Sequence, residues 1–543
     1  MTNEYMEETA GKGSVQLPYP LRHVTTEVIG DFTLPDYQPE IKRLLRIGVN
    51  LLPPAPRQGE GDLMGTVDYY VLYVGQDNGV YCAPLSTEYR LESPAEGGMA
   101  GMPAATSEPT LHLCDLSTEV PVGRVVAPRR IHIRCKIKAR VRAYGECPLG
   151  PWNKEDRDPT VEALTTETTV GRLYQAMGEP LTLEEDIILS PNEEEMRVIC
   201  AEGQIQMTET LPTSGMVNCR GELTVKLTLC PADTVGDMLA ELSPDTAAPQ
   251  QTPTLTILKR KIPFSQSVAM EGVTSACTAT ACGYCSDITV QMDDGRLHLE
   301  VGVLTEVRAQ QNETVTYVAD LYSTRRESAC RYATYPAETA LRAFNGNFTL
   351  SDSLPLTETA IEPSARVVDV TATATPEELT TDPAKGRCLL TGRCRFHLLW
   401  QKDGEYSATE VELPFRYEFD DAPTAKASHT PDTLTAFDGS MTVVNCRARM
   451  DGERIGFDAE LAVSLRTHAS TPFTALTDMG LGGEITRRRG EYVICFPAPT
   501  DTVWSVAKRY HAPITTLTAA NNLPAGIKIG GKDSLEGVKY LIV

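Results

Sequence analysis

The sequence predicts a mostly β chain: three tandem antiparallel, sandwich-like units followed by one small α+β module in strand, helix, helix, strand (βααβ) order. Self-similarity is the first reason. Runs that alternate apolar and polar residues recur three times, RRIHIRCKIKARVRA from Arg129, DDGRLHLEVGVLTEVRA from Asp293 and DGERIGFDAELAVSLRT from Asp451. Period two buries one face of a strand and wets the other, as in an antiparallel sheet packed on a second sheet. Composition is the second reason, since helix formers do not dominate and Thr and Val are abundant. The third is that helical spacing stands out only near the C-terminus.

Residues 1–30 read as a polar N-terminal segment. The units are assigned to 31–178, 179–330 and 331–483, and the module to 487–543. Each unit opens on a stretch of like texture: DFTLPDYQPEIKRLLRIGVN at 31–50, PLTLEEDIILSPNEEEMRVICAEG at 180–203 and NFTLSDSLPLTETAIEPSARVVDV at 347–370. A glycine-led strand pair follows, from Gly65, from Arg220 with Thr254, and from Thr391. In the third copy Asp403-Gly404 is a hairpin turn between two alternating runs. Lys261-Ile262-Pro263-Phe264 matches Glu412-Leu413-Pro414-Phe415. This gives the Pro-Phe pair one role, at an edge where proline lacks only a dispensable donor. Segments with matching cores come after two of the alternating runs, GRLYQAM from Gly171 and ADLYSTR from Ala319, with a looser third, FTALTDM from Phe473. The Gly-, Pro- and Ala-rich stretches 92–110 and 243–253 read as loop insertions.

In the module, Tyr492, Val493 and Ile494 make a short strand. Asp501 is placed to cap a helix by accepting backbone N–H bonds that the first turn leaves orphaned. Val503, Val506, Ala507 and Tyr510 fall on one helical stripe. Pro513 breaks the chain, Thr515 caps a second helix carrying Leu517 and Ala520, and Asn521 with Asn522 offers a left-handed exit. Tyr540, Leu541 and Ile542 return as a strand.

That order and those letters resemble a LysM module, through Asp501, Thr502, Trp504, Val506, Ala507, Tyr510, Leu517, Asn521, Asn522 and Leu523. Two departures stand out: Thr500 replaces the family's glycine before Asp-Thr, and Gly537-Val538-Lys539-Tyr540 replaces its Gly-Gln-x-Leu. The resemblance implies a groove for N-acetylglucosamine polymers between the Asp-Thr turn and the loop after the second helix. The binding surface is therefore assigned to Thr500, Asp501, Thr502, Trp504, Asn521, Leu523 and Pro524, with Trp504 read first as a residue covering the core and second as an interface anchor. Tandem β units with a C-terminal LysM resemble the SPOCS-domain proteins of the spore coat, of the SipL type of coat morphogenetic protein. That resemblance implies a scaffold in the mother-cell cytoplasm. Its LysM module holds the SpoIVA-type ATPase that anchors the coat at the forespore surface, and its repeats work with other coat proteins in encasement.

The net charge of -23 provides no basic field to gather phosphates, which argues against nucleic acid. Residues 484–543 hold eight Lys or Arg against five Asp or Glu, a net of +3, which leaves -26 on the first 483. A mildly basic foot under an acidic body points to an acidic protein surface as its partner. The N-terminus lacks the basic and apolar regions of a signal peptide, and no apolar run reaches membrane-spanning length, so a cytoplasmic, membrane-free location is expected. The 15 cysteines are then expected as thiols that act as small buried hydrophobes.

Chemistry-bearing motifs are sparse. Cys282-Gly-Tyr-Cys285, with Cys277 upstream, is a C-x-x-C with neither a second pair nor a histidine to complete a zinc site, and structural thiols are the favoured reading. Gly526 to Asp533 nearly matches a phosphate loop, but Asp533 stands where the magnesium-binding hydroxyl belongs. His132, His298 and His397 have no metal spacing. No catalytic residue, metal or cofactor is assigned and no enzyme is expected. Two function classes stand: a scaffold whose LysM module binds protein, and a wall- or cortex-binding protein whose LysM module binds peptidoglycan.

Overall fold

The computed structural model describes residues 14–54, 57–58, 62–92, 108–149, 158–190, 196–231, 254–293, 295–382, 387–419, 434–486, 493–524, 527–531 and 535–543. Of the described residues 74% are strand and 4% helix, and among them every ladder is antiparallel. It is a mostly β protein. The two insertions at 92–110 and 243–253 lie, but for residues 92 and 108–110, outside the described residues.

One topology occurs three times. In the first unit Arg130–Pro148 is the middle of a sheet. Ser14–Pro18 and then Arg22–Thr33 lie on one edge, and Thr110–Thr118 and then Val122–Ala127 on the other. Its second sheet runs Ile41–Leu52, Leu63–Gly75, Val80–Leu91. In the second unit Val161–Met177 and Leu181–Ile188 flank one edge of Arg296–Ser323, and Thr278–Asp293 the other. Met196–Thr213, Met216–Pro231 and Thr256–Ala269 form its second sheet. In the third, Arg454–Ser470 lies between Glu338–Pro355 and Leu434–Asp451, and Arg387–Lys402 between Arg366–Asp382 and Glu405–Phe419. There Arg326–Tyr335 and Phe473–Glu484 pair beyond the body of the sheet.

Alternation supplies the cores. Ile131, Ile133, Cys135 and Ile137 share a cluster with Val67, Tyr69, Val71 and Tyr73. Leu297, Leu299, Val301 and Val303 meet Leu223, Val225, Leu227 and Leu229, and Ile455, Phe457, Leu461 and Val463 meet Leu390, Phe396 and Leu398. Each such side chain contributes about 1.5–3 kcal/mol by leaving water. The repeated glycines have a packing reason. The rings of Tyr89, Phe264 and Phe415 lie where a Cβ on Gly65, Gly221 and Gly392 would sit, an aromatic covering a glycine on the neighbouring strand. Pro263 and Pro414 stand on the edge strands that carry those rings. Asp403 and Gly404, both at positive φ, make the expected hairpin turn.

The boundaries expected at 31, 179 and 331 fall too late. Residue 31 lies inside Arg22–Thr33, Val161–Met177 pairs with the second unit's Arg296–Ser323, and residue 331 lies inside Arg326–Tyr335. Consequently 14–33 belong to the first sheet rather than to a leading segment, and GRLYQAM opens the second unit instead of closing the first. The reason is physical: these opening strands are edges with exposed or half-buried residues through most of their length, such as Arg22–Thr33, so they carry little of the apolar alternation that marks a central strand.

The three units close on one another. Leu45, Leu72 and Val80 of the first, Cys230 and Leu255 of the second, and Leu399 and Tyr406 of the third form one apolar cluster. It is fed by a bulge at the same place in each unit. The ladders slip between Leu44 and Arg46, Val198 and Cys200, and Val367 and Asp369, which frees Leu45, Ile199 and Val368 to pack there. Beside it sits an ion network. Arg46 reaches Glu202 and Asp369, both at 2.8 Å, and Lys226 reaches the same two carboxylates at 2.6 and 2.9 Å. A second three-unit cluster joins Val15 and Leu17, Val170, and Tyr335 and Phe473. Next to it Arg142 grips Glu338 with two bonds of 2.8 and 2.7 Å.

Candidate functional site

The tail module pairs Ile494–Cys495 with Leu541–Ile542 and carries helices Val503–Arg509 and Ile514–Ala520. Val503, Val506 and Ala507 are buried, with Tyr510 packed beside them, around Cys495, Leu517 and Leu541. Tyr492, expected in the first strand, lies outside the described residues. The cap expected of Asp501 belongs to Thr502, whose side chain accepts from Ser505 N while the Ser505 hydroxyl accepts from Thr502 N. Asp501 instead accepts from Ala498 N at 2.9 Å and from Arg509. These bonds, Arg509's foremost, hold its carboxyl below the usual range. Thr515 lies inside the second helix, which starts after Pro513 without a side-chain cap. Asn522, at φ 49°, makes the left-handed exit.

The module sits on the far end of the second unit. There the 28-residue strand Arg296–Ser323 and its partner Val161–Met177 run out as an arm. Trp504 Nε1 donates to Asp320 Oδ2 at 2.8 Å, and Lys508 Nζ reaches the two Asp320 oxygens at 2.6 and 2.8 Å. Tyr332 donates to the same carboxylate at 2.6 Å. Burial opposes the charge on Asp320, yet the bonds from Lys508, Tyr332 and Trp504 keep its pKa below the ordinary value. Tyr322 donates to Ala512 O at 2.7 Å and packs edge-on against Trp504, with ring centroids 5.0 Å apart. Within the chain, Lys508 of this basic foot is met by one carboxylate, Asp320.

The seven assigned residues therefore separate. Thr500 and Pro524 are exposed. Trp504 is buried in the contact with the arm, Asp501 and Thr502 serve the helix start, and Leu523 packs against the module core. Asn521 stitches the second helix to the last strand, accepting from Ile542 N at 2.7 Å and donating to Ile542 O at 2.8 Å. The two sides of the expected groove are hydrogen-bonded to each other, Trp504 N to Ile529 O at 3.0 Å. They also meet the arm: Trp504 through Asp320, and Gly530 at Leu164, close to which a Cβ would lie at 3.0 Å.

Sequence reasoning missed the opposite face. Ile494 and Ile542 are direct cross-strand neighbours, and Phe496 and Tyr540 continue the same alternation. Cys495 and Leu541 point inward, while these four are 58%, 36%, 76% and 56% exposed. A bare apolar strip on a small sheet is the kind of surface that marks a binding site. The period-two run from Tyr540 to Ile542 was its signal.

Cys282 and Cys285 are three apart on one strand and so face opposite sides, and burial pushes the Cys285 thiol up to about 12. His132 and His298 each sit 2.8 Å from a cross-strand aspartate, Asp31 and Asp186, and His397 lies 3.6 Å from Glu410. Among the described residues no group of three or more His, Cys, Asp or Glu could hold a metal ion, and no helix is long and apolar enough to cross a membrane. The run 526–533 lies partly outside the described residues. The chain matches no family model, no curated protein and no solved structure.

Proposed function

We propose that the chain is a non-enzymatic scaffold of spore coat assembly. In this reading the tail is a LysM module that docks onto the coat-basement ATPase at the forespore surface, and the three β units are SPOCS repeats that support encasement from the mother-cell cytoplasm. The observation that carries the reading is the bare strip of Ile494, Phe496, Tyr540 and Ile542, an apolar surface suited to another protein. Glycan binding needs the groove between residues 500–504 and 523–531 to be open, and residues from both of its sides already touch the arm. The test offers the full chain in parallel to polymerised ATPase and to insoluble peptidoglycan. Co-sedimentation with the ATPase, weakened at least tenfold by Phe496→Asp, is the expected result. Retention on peptidoglycan alone would replace the scaffold reading with the wall-binding one.

A further inference from the structure

Cys82 and Cys200 come from different units and their sulfur atoms lie 3.1 Å apart. Cys82 stands on Val80–Leu91, an edge strand of the first unit, and Cys200 follows the bulge in Met196–Thr213 of the second. That bulge position is occupied by Arg46 in the first unit and Asp369 in the third, and those two join their units by an ion pair of 2.8 Å. At the joint between the first and second units the corresponding place is taken by a thiol facing a thiol. Cys82 packs against the three-unit cluster, as does Ile199 beside Cys200, so neither sulfur is free to swing far away.

We propose that Cys82 and Cys200 are an oxidation site that closes to a disulfide linking the first two units. The sulfurs must approach by about 1 Å to reach the bonded separation of about 2.05 Å. The oxidant class is a small soluble disulfide. Cys82, the half-buried member, loses its proton and attacks one sulfur of the reagent, which releases one thiolate and leaves a mixed disulfide on Cys82. Cys200, which is buried, then loses its proton and displaces the second thiolate. Two protein thiols are oxidised, one reagent disulfide is reduced, and two protons are released to the thiolates or solvent. The hydrogen bond to Cys200 and burial both raise the Cys82 pKa, so the first step quickens as pH rises.

The bond would join residues 118 positions apart near the centre of the molecule and turn a contact between units into a covalent one. The experiment incubates the intact chain with oxidised glutathione at pH 8, blocks remaining thiols with iodoacetamide and maps the peptides without reduction. The expected map joins the Cys82 and Cys200 peptides at a mass two hydrogens below their sum. The oxidised chain also runs faster than the reduced one on a denaturing, non-reducing gel, and Cys82→Ser or Cys200→Ser abolishes the shift. Carbamidomethyl groups on both residues, or a glutathione that stays on Cys82 without transfer to Cys200, would overturn the proposal. The map on the unaltered chain decides the matter even where a variant folds poorly.

Discussion

Two carboxylates hold this molecule together in different ways. Asp369 sits at the meeting of the three units, its side chain 4% exposed, between Arg46 and Lys226. Asp320 sits where the tail meets the arm, 19% exposed, under Lys508 and Trp504. Both collect positively charged or N–H donors from another part of the chain. What differs is the water left around them. At the centre Arg46 and Lys226 are only 10% and 9% exposed, so solvent replaces a lost partner poorly and the network is costly to break. At the tail Lys508 is 35% exposed, so a broken bond is largely replaced by water. The centre is therefore expected to cost more to open than the tail contact.

The largest test of this contrast is Asp369→Ala. It leaves the buried Arg46 and Lys226 with Glu202 as their remaining carboxylate among the described residues, and a loss of about 3–5 kcal/mol is expected, read as a shift in the denaturant midpoint. A change under about 1 kcal/mol would place the centre in the same class as the tail. Acid supplies the next largest. Burial opposes the charge on Asp369, but Lys226 and Arg46 bring its pKa down to about 2, against about 3.9 in an unfolded chain. A depressed folded pKa stabilises above the unfolded value and the benefit disappears as pH falls through the folded one. Roughly 2–3 kcal/mol should therefore be present at pH 5 and lost between about pH 4 and pH 2. A stability flat across that window in the unaltered chain would remove the central carboxylate from the account.

Asp320→Asn should act on the tail alone. It weakens the bonds from Lys508, Trp504 and Tyr332, for about 1–2 kcal/mol of contact, and leaves the midpoint of the three-unit body in place. Trp504 leaves a buried contact, so its fluorescence should shift to longer wavelength, with Trp504→Phe in the same background identifying the signal. Loss of body stability equal to that of Asp369→Ala would show that arm and centre unfold as one.

How much of this was legible in the sequence depends on whether a signal is local. Alternation from Arg129, Asp293 and Asp451 announced the central strands because each is buried along one whole face. The glycines at 65, 221 and 392 were visible as repeated letters, but the rings that cover them come from strands 23 to 43 residues on, as Tyr89, Phe264 and Phe415, and a single sequence does not pair them. The opening edge strands were hidden by their own polarity. The three-unit centre was out of reach, since Arg46, Glu202, Lys226 and Asp369 are unremarkable surface letters until the bulges bring them together. In the tail, the helix stripe was local and readable, while Trp504 depended on a carboxylate 184 residues away.

The smallest expected effect separates the tail's own fold from its docking. Thr502→Ala removes the acceptor for Ser505 N and costs about 1 kcal/mol of helix stability. It touches none of the groups on Asp320. Amide exchange should therefore quicken in Val503–Arg509 while Trp504 fluorescence stays blue, the reverse of what Asp320→Asn produces. If Thr502→Ala also releases the tryptophan, the short helix and its seat on the arm form a single cooperative element. The difference between the buried centre and the more exposed tail contact would then rest on the whole module, with Asp320 as one contributor among several.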